Sequence, residues 1–216
     1  MKACIIGFAR SRSSILLETI SLFYKVPILG DDINNLTQNL ITPPSSDAYK
    51  SLLAECFDKT EGVIRFHPFQ ILEMPHKGMC ADFDLFKFEQ YDKIYFTYRE
   101  SVSDIIASDI VARKLKKYTY KSKEELVTYI PPITVDRGKP NAIIDYVHYE
   151  RAVIKLKQYF KDKGILSQDL YYNEIPKYLE ETFPGVDTFH VETNYNYRKI
   201  ITNYNDIIPL YEYYKK

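Results

Sequence analysis

Residues 2–23, KACIIGFARSRSSILLETISLF, constrain the fold more than any other stretch of the 216-residue chain. Ala3, Cys4, Ile5 and Ile6 form a short continuous apolar run, the pattern of a buried strand. Residues 7–14 follow as a loop rich in hydroxyls and guanidiniums, and Ile15, Leu16, Ile20 and Phe23 then recur at helical spacing. A strand, a loop and a helix in that order bring backbone N–H groups and the positive end of a helix dipole to one point. That point is suited to an anion.

The loop can be laid on the nucleotide-binding P-loop pattern G-x-x-x-x-G-K-[ST], with Gly7 on the first glycine. Ser14 then takes the hydroxyl position, while Arg12 replaces the second glycine and Ser13 replaces the lysine that reaches the outer phosphates of ATP. A phosphate cradle is expected, and ATP chemistry does not follow. Arg10, Ser11, Arg12, Ser13 and Ser14 instead resemble the 5′-phosphosulfate-binding loop, R-S-[GR]-[ST]-[ST], of the sulfotransferases, with Ala9 where that family often has proline. Those enzymes take a sulfuryl group from 3′-phosphoadenosine 5′-phosphosulfate (PAPS). The resemblance implies that Arg10 and the loop hydroxyls hold the 5′-phosphate and the leaving oxygen. A solvated Ser/Arg turn capping a helix is the alternative, since serine is a good N-cap.

The remaining features of the family appear in order along the chain. Several branches follow the first helix with a Gly-Glu pair whose glutamate is the acceptor's general base; Gly30 and Asp31 match it, with Asp32 beside them. A carboxylate suits that role when burial lifts its pKa, although Gly-Asp-Asp also makes an Asx turn. After a helix expected over residues 46–60, with Ser46 or Asp47 as its cap, GVIRFHPF begins a second strand. Its end carries Arg65 and His67, which match the lysine and histidine of the cytosolic sulfotransferases' Lys-Thr-His. That implies Arg65 on the transferred group and His67 as a second candidate base.

The third strand, KIYFTYR, runs into the helix ESVSDIIASDIVARKLKK. The family's R-[DN]-P-x-[DE]-x-x-x-S binds the donor's 3′-phosphate, and Arg99, Asp104 and Ser108 keep its acid-to-serine step with the arginine one residue further back. Read without that offset, Ser103 takes the acid position; Ser108 is the favoured serine. A guanidinium beside a helix N-terminus binds a phosphate on physical grounds alone. The long connection to residue 141, broken by prolines, is expected to be an acceptor flap or a solvated basic face. An amphipathic helix is expected over 142–162 and ends at Gly164; Tyr172, Asn173, Glu174 and Ile175 resemble the strand that closes the family's sheet. Sulfotransferases often return a basic C-terminal loop to the 3′-phosphate, and the resemblance offers Arg198 or Lys199 for that place without a motif spacing.

The expectation is one domain over 1–216, a three-layer α/β/α fold around a central parallel sheet, nucleotide-binding and P-loop-like. The implied reaction moves a sulfuryl group from PAPS to a hydroxyl or amine of a small-molecule, glycan, lipid or peptide acceptor and leaves 3′,5′-adenosine bisphosphate (PAP), with no metal. Lys plus Arg and Asp plus Glu both number 29, so no overall field draws nucleic acid or an acidic membrane. The three cysteines are far apart and include no C-x-x-C, which makes a cytoplasmic setting the expectation; the apolar run before Arg10 is too short for a membrane span. A non-catalytic nucleotide-binding module and a P-loop small-molecule kinase stay open as alternatives.

Overall fold

The computed structural model describes residues 1–8, 11–29, 61–66, 83–116, 129–187 and 195–216. Among them lie the strands β1 (Lys2–Gly7), β2 (Gly62–Phe66), β3 (Lys93–Tyr98) and β4 (Gln168–Tyr171). They form one all-parallel sheet in the order β2-β1-β3-β4. Strand β1 is buried along its whole length, because it pairs on both sides and is covered on both faces. Its apolar run needs no alternation for that reason.

Register decides which side chains share a core. Cys4 lies level with Ile64 and Ile94, and Ile6 with Phe66 and Phe96; these six face one core. Ala3 and Ile5 face the other, with Val63, Tyr95 and Leu170. Helices α1 (Ser13–Tyr24) and α4 (Ile175–Thr182) cover the second core. Helices α2 (Val102–Leu115), α3 (Asn141–Lys163) and α6 (Ile207–Lys215) cover the first, completing three α/β/α layers. A one-turn helix, α5 (Tyr197–Ile200), precedes α6.

Much of the chain's aromatic content is core. Phe88 lies 4.9 Å from Phe160 and 5.5 Å from Phe86, ring to ring, and Phe66 meets Phe86 edge-on at 5.2 Å. Such pairs contribute about 0.5–1.5 kcal/mol each beyond the area they bury. Gly164 ends α3 in the left-handed region at φ 67°, which fits the expected stop.

Two expectations change in detail. Strand β4 ends at Tyr171, so Tyr172, Asn173 and Glu174 form the turn into α4 and do not continue the strand. The described part of the long connection pairs with the C-terminal segment: the N–H of Ile133 donates to the Ile200 carbonyl at 2.8 Å, and that of Thr202 to the Ile133 carbonyl at 2.9 Å. The helix expected over 46–60 lies outside the described residues, as do Cys56 and Cys80. No helix among the described residues is long and apolar enough to cross a membrane.

Cys4 reports on this packing. Burial in the central strand pushes its thiol well above the ordinary value of 9.0. A folded-state pKa raised in this way gives stability that is whole below the ordinary thiol value and declines as pH rises past it. In the native protein, Cys4 is therefore expected to resist alkylation at pH 8 and to react only as the chain unfolds. Peptide mass mapping after a timed iodoacetamide pulse checks this; native labelling at Cys4 as fast as in urea would show the strand to be open.

Candidate functional site

From β1 the chain passes through α1 to β2 on one side, and from β3 it passes through α2 and α3 to β4 on the other. Neighbouring strands whose continuations part in this way leave a crevice at their carboxyl ends, where ligands of open α/β sheets bind. The residues at that crevice are those of the first loop and of the β3–α2 junction.

The loop's path starts at Gly7, level with Thr97 on β3. A Cβ on Gly7 would stand 2.1 Å from Thr97 Oγ1 and 2.8 Å from Ser11 Oγ. Those two hydroxyls share a hydrogen bond of 2.7 Å, and Ser11 Oγ also donates to the Phe8 carbonyl at 2.6 Å. Ser11, at 0% exposure, therefore fastens the loop to β3. Tyr149 supports the same place from α3, its hydroxyl donating to the Thr97 carbonyl at 3.2 Å. Burial pushes the Tyr149 phenol up and keeps it a donor.

Arg12 follows as the residue before α1, in the left-handed region at φ 63°. That turn aims its side chain across the sheet: Nη1 donates to the Tyr172 carbonyl at 2.7 Å, and Cζ stands 3.8 Å from the centre of the Tyr172 ring. Arg99, just beyond β3, places its Cζ 4.6 Å from the same ring and 5.9 Å from that of Tyr197 on α5. The guanidinium carbons of Arg12 and Arg99 are thus no further apart than the sum of their distances to the Tyr172 ring. Among the described residues, no carboxylate pairs with Arg99. The nearby acids are used elsewhere: Glu100 Oε1 accepts from the Asn173 N–H at 3.1 Å, and Asp104 Oδ1 from the Tyr204 hydroxyl at 2.7 Å.

Arg65 completes the row from β2, its Nη1 donating to Ser14 Oγ in the first turn of α1. That turn holds no acidic residue, so no carboxylate of its own offsets the helix's positive end. Ser13 is buried and Ser14 half-buried there. Arg65 on β2, Arg99 just beyond β3, and Arg12 at the end of the loop from β1 therefore belong to three adjacent strands and the segments that follow them.

Helix α2 is capped by Ser101, whose Oγ accepts from the Asp104 N–H at 3.2 Å. Ser103 lies in the same turn, 3.1 Å from Ser101 Oγ and 3.0 Å from the oxygen of the Tyr204 hydroxyl. Ser108 lies two turns along the helix and is 2% exposed. Arg198 sits on the exposed side of α5, with Cζ 5.1 Å from the Tyr204 ring, and Lys199 beside it is exposed. Arg10, Gly30, Asp31 and His67 lie outside the described residues.

The resemblance places Tyr172 only in the strand that closes the family's sheet, yet it is the residue on which two arginines meet. The signal was present, because an aromatic residue directly after a strand falls at the carboxyl edge where ligands gather. Together, the fold and this edge define an α/β protein whose parallel sheet gathers arginines among its described residues toward its topological switch point. No protein-family model matches the chain, and no curated protein matches it.

Proposed function

We propose that this chain, on a P-loop-like scaffold, transfers a sulfuryl group from PAPS to a hydroxyl or amine of a small-molecule, glycan, lipid or peptide acceptor. The observation that carries the reading is the convergence of Arg12 and Arg99 on one ring, with no carboxylate for Arg99 among the described residues. Two guanidiniums from separate strand ends suit a ligand with two separate anionic groups. The tight approach of Gly7 to Thr97 lets the loop lie close against the strand ends, as a phosphate cradle must.

Bound PAPS supplies the activated sulfuryl group. In this reading, Arg12, Ser13 and Ser14 at the start of α1, joined by Arg10, bind the 5′-phosphate and stabilise the charge that builds on its leaving oxygen. Ser11 acts through the shape of the loop, its hydroxyl being committed to Phe8 and Thr97. Arg65, held against Ser14, faces the group in transit. Arg99 binds the 3′-phosphate with Ser103 or Ser108, of which Ser103 stands in the first turn of α2. The acceptor oxygen or nitrogen bonds to sulfur as the bond from sulfur to the 5′-phosphate oxygen breaks, and the acceptor's proton passes to Asp31 or His67. PAP is the other product.

Calorimetric titration with PAP, with ATP plus magnesium, and with 5′-AMP tests this on the wild type and on Arg99→Ala. PAP is expected to bind best, and Arg99→Ala to weaken it at least about tenfold, the loss of a charged hydrogen bond. Thermal stability should change little, as Arg99 has no ion pair to lose among the described residues. Binding of ATP with magnesium but not PAP would replace the reading with a kinase. PAP binding without transfer across a broad acceptor panel would replace it with a non-catalytic module.

A further inference from the structure

We infer that Tyr172 is a positioning residue: its ring, and not its hydroxyl, holds the Arg12 and Arg99 guanidiniums together at the crevice before any ligand arrives. The inference rests on the reading of this crevice as an anion site and adds a residue that acts through the two arginines.

Like-charged groups this close repel one another, and something must offset that repulsion. A carboxylate can do so, but Arg99 has none among the described residues, and Glu100 and Asp104 are engaged elsewhere. The Tyr172 ring is the group both arginines share, at 3.8 Å from Arg12 Cζ and 4.6 Å from Arg99 Cζ. An aromatic face carries negative potential and attracts a guanidinium without neutralising it. Arg99 is thereby held without a carboxylate that an incoming anion would have to displace.

The ring is itself held by its backbone. The Tyr172 N–H donates to the Tyr98 carbonyl at 2.8 Å, the Asn173 N–H to Glu100 Oε1 at 3.1 Å, and the Tyr171 N–H to Glu174 Oε2 at 3.2 Å. These bonds tie the turn after β4 to the end of β3 and to itself. The Tyr172 carbonyl adds a second grip on Arg12. The Tyr172 hydroxyl, by contrast, has no hydrogen-bond partner among the described residues. Ring and hydroxyl can therefore be separated by substitution.

The test compares the wild type, Tyr172→Phe and Tyr172→Leu, each also in an Arg99→Ala background, by calorimetric titration with PAP. Tyr172→Phe is expected to bind within about twofold of the wild type, and Tyr172→Leu about tenfold more weakly, the size of a partly desolvated cation–π contact. In the Arg99→Ala background the additional loss from Tyr172→Leu should shrink to about threefold or less, because one of its two clients is gone. A merely structural ring would give the same loss in both backgrounds. Equal weakening by Phe and Leu, or a Leu effect undiminished without Arg99, overturns the inference.

A second readout needs no ligand. Arg12 and Arg99 are expected to react with phenylglyoxal several-fold faster in Tyr172→Leu than in the wild type or Tyr172→Phe, as read by peptide mass mapping. If nothing binds PAP but this pattern holds, the donor reading fails and the positioning role stands. If the three proteins react alike, the positioning role fails whatever PAP does. Tyr172→Met replaces Tyr172→Leu should the latter not fold.

Discussion

Gly7→Ala is expected to lose about 3 kcal/mol of folding stability, the upper end of what overpacking costs, and to abolish tight binding of PAP. The new methyl would stand 2.1 Å from Thr97 Oγ1, 2.8 Å from Ser11 Oγ and 3.1 Å from Ser13 Cβ. None of these is the far end of a flexible side chain. Thr97 and Ser11 are both fully buried and bonded to one another, and Ser11 is also committed to the Phe8 carbonyl. Relief requires either that β1 and β3 part at their carboxyl ends or that the Ser11–Thr97 bond breaks. Both outcomes move the loop that carries Arg12. Urea unfolding with an unchanged slope checks the stability, and a second substitution checks the cause. Gly7→Ala with Thr97→Ala removes the nearest colliding atom, so the double variant should be more stable than Gly7→Ala alone, although Thr97→Ala itself loses a buried hydrogen bond. A Gly7→Ala protein within 0.5 kcal/mol of the wild type would show that the loop is not held as described.

Arg12→Gly is expected to separate stability from binding. The native left-handed backbone at φ 63° strains any residue with a Cβ by about 1–2 kcal/mol, and glycine relieves it. Against that stands the loss of Arg12's contacts, among them the stacking on Tyr172 and the bond to its carbonyl, which together are of similar size. Stability should therefore stay within about 1 kcal/mol of the wild type. Affinity for PAP should fall roughly 100-fold, because a charge-assisted contact of about 1.5–3 kcal/mol disappears from the crevice. Thermal melts and calorimetry on the same preparation decide this. Unchanged affinity in a folded Arg12→Gly would remove Arg12 from the site and take the proposed donor geometry with it.

The elements legible in the sequence are those that local pattern determines. The run from Ala3 to Ile6 is a strand buried on both faces, and α3 matches its apolar spacing and its glycine stop to within a residue at each end. The placement of Arg65 near the end of β2 and of Arg99 just past the end of β3 was readable for the same reason. What escaped the sequence depends on partners far along the chain. Strand β4 buries only Leu170, so it has no apolar run, and its extent comes from pairing with β3. The left-handed turn at Arg12 accompanies a loop fastened by Ser11 to Thr97, 86 residues away. The contacts of Arg12 with Tyr172 and of Arg65 with Ser14 span 160 and 51 residues, distances at which no spacing rule operates. Ser108 fits a motif spacing and yet packs inside, because the face a helical residue presents is set by what the helix packs against.

The parallel sheet also has a consequence for synthesis. Strand β1 is the most thoroughly enclosed of the four and leaves the ribosome before the others, yet its first partner begins at Gly62 and its second at Lys93. At about 5–20 residues per second, its apolar edge waits roughly 3–12 s for the first of them. During that interval the nascent strand offers unpaired backbone and the thiol of Cys4 to whatever is near. Early cover of that edge, by α1 folding back on it or by a chaperone, is what would keep the nascent strand from pairing wrongly.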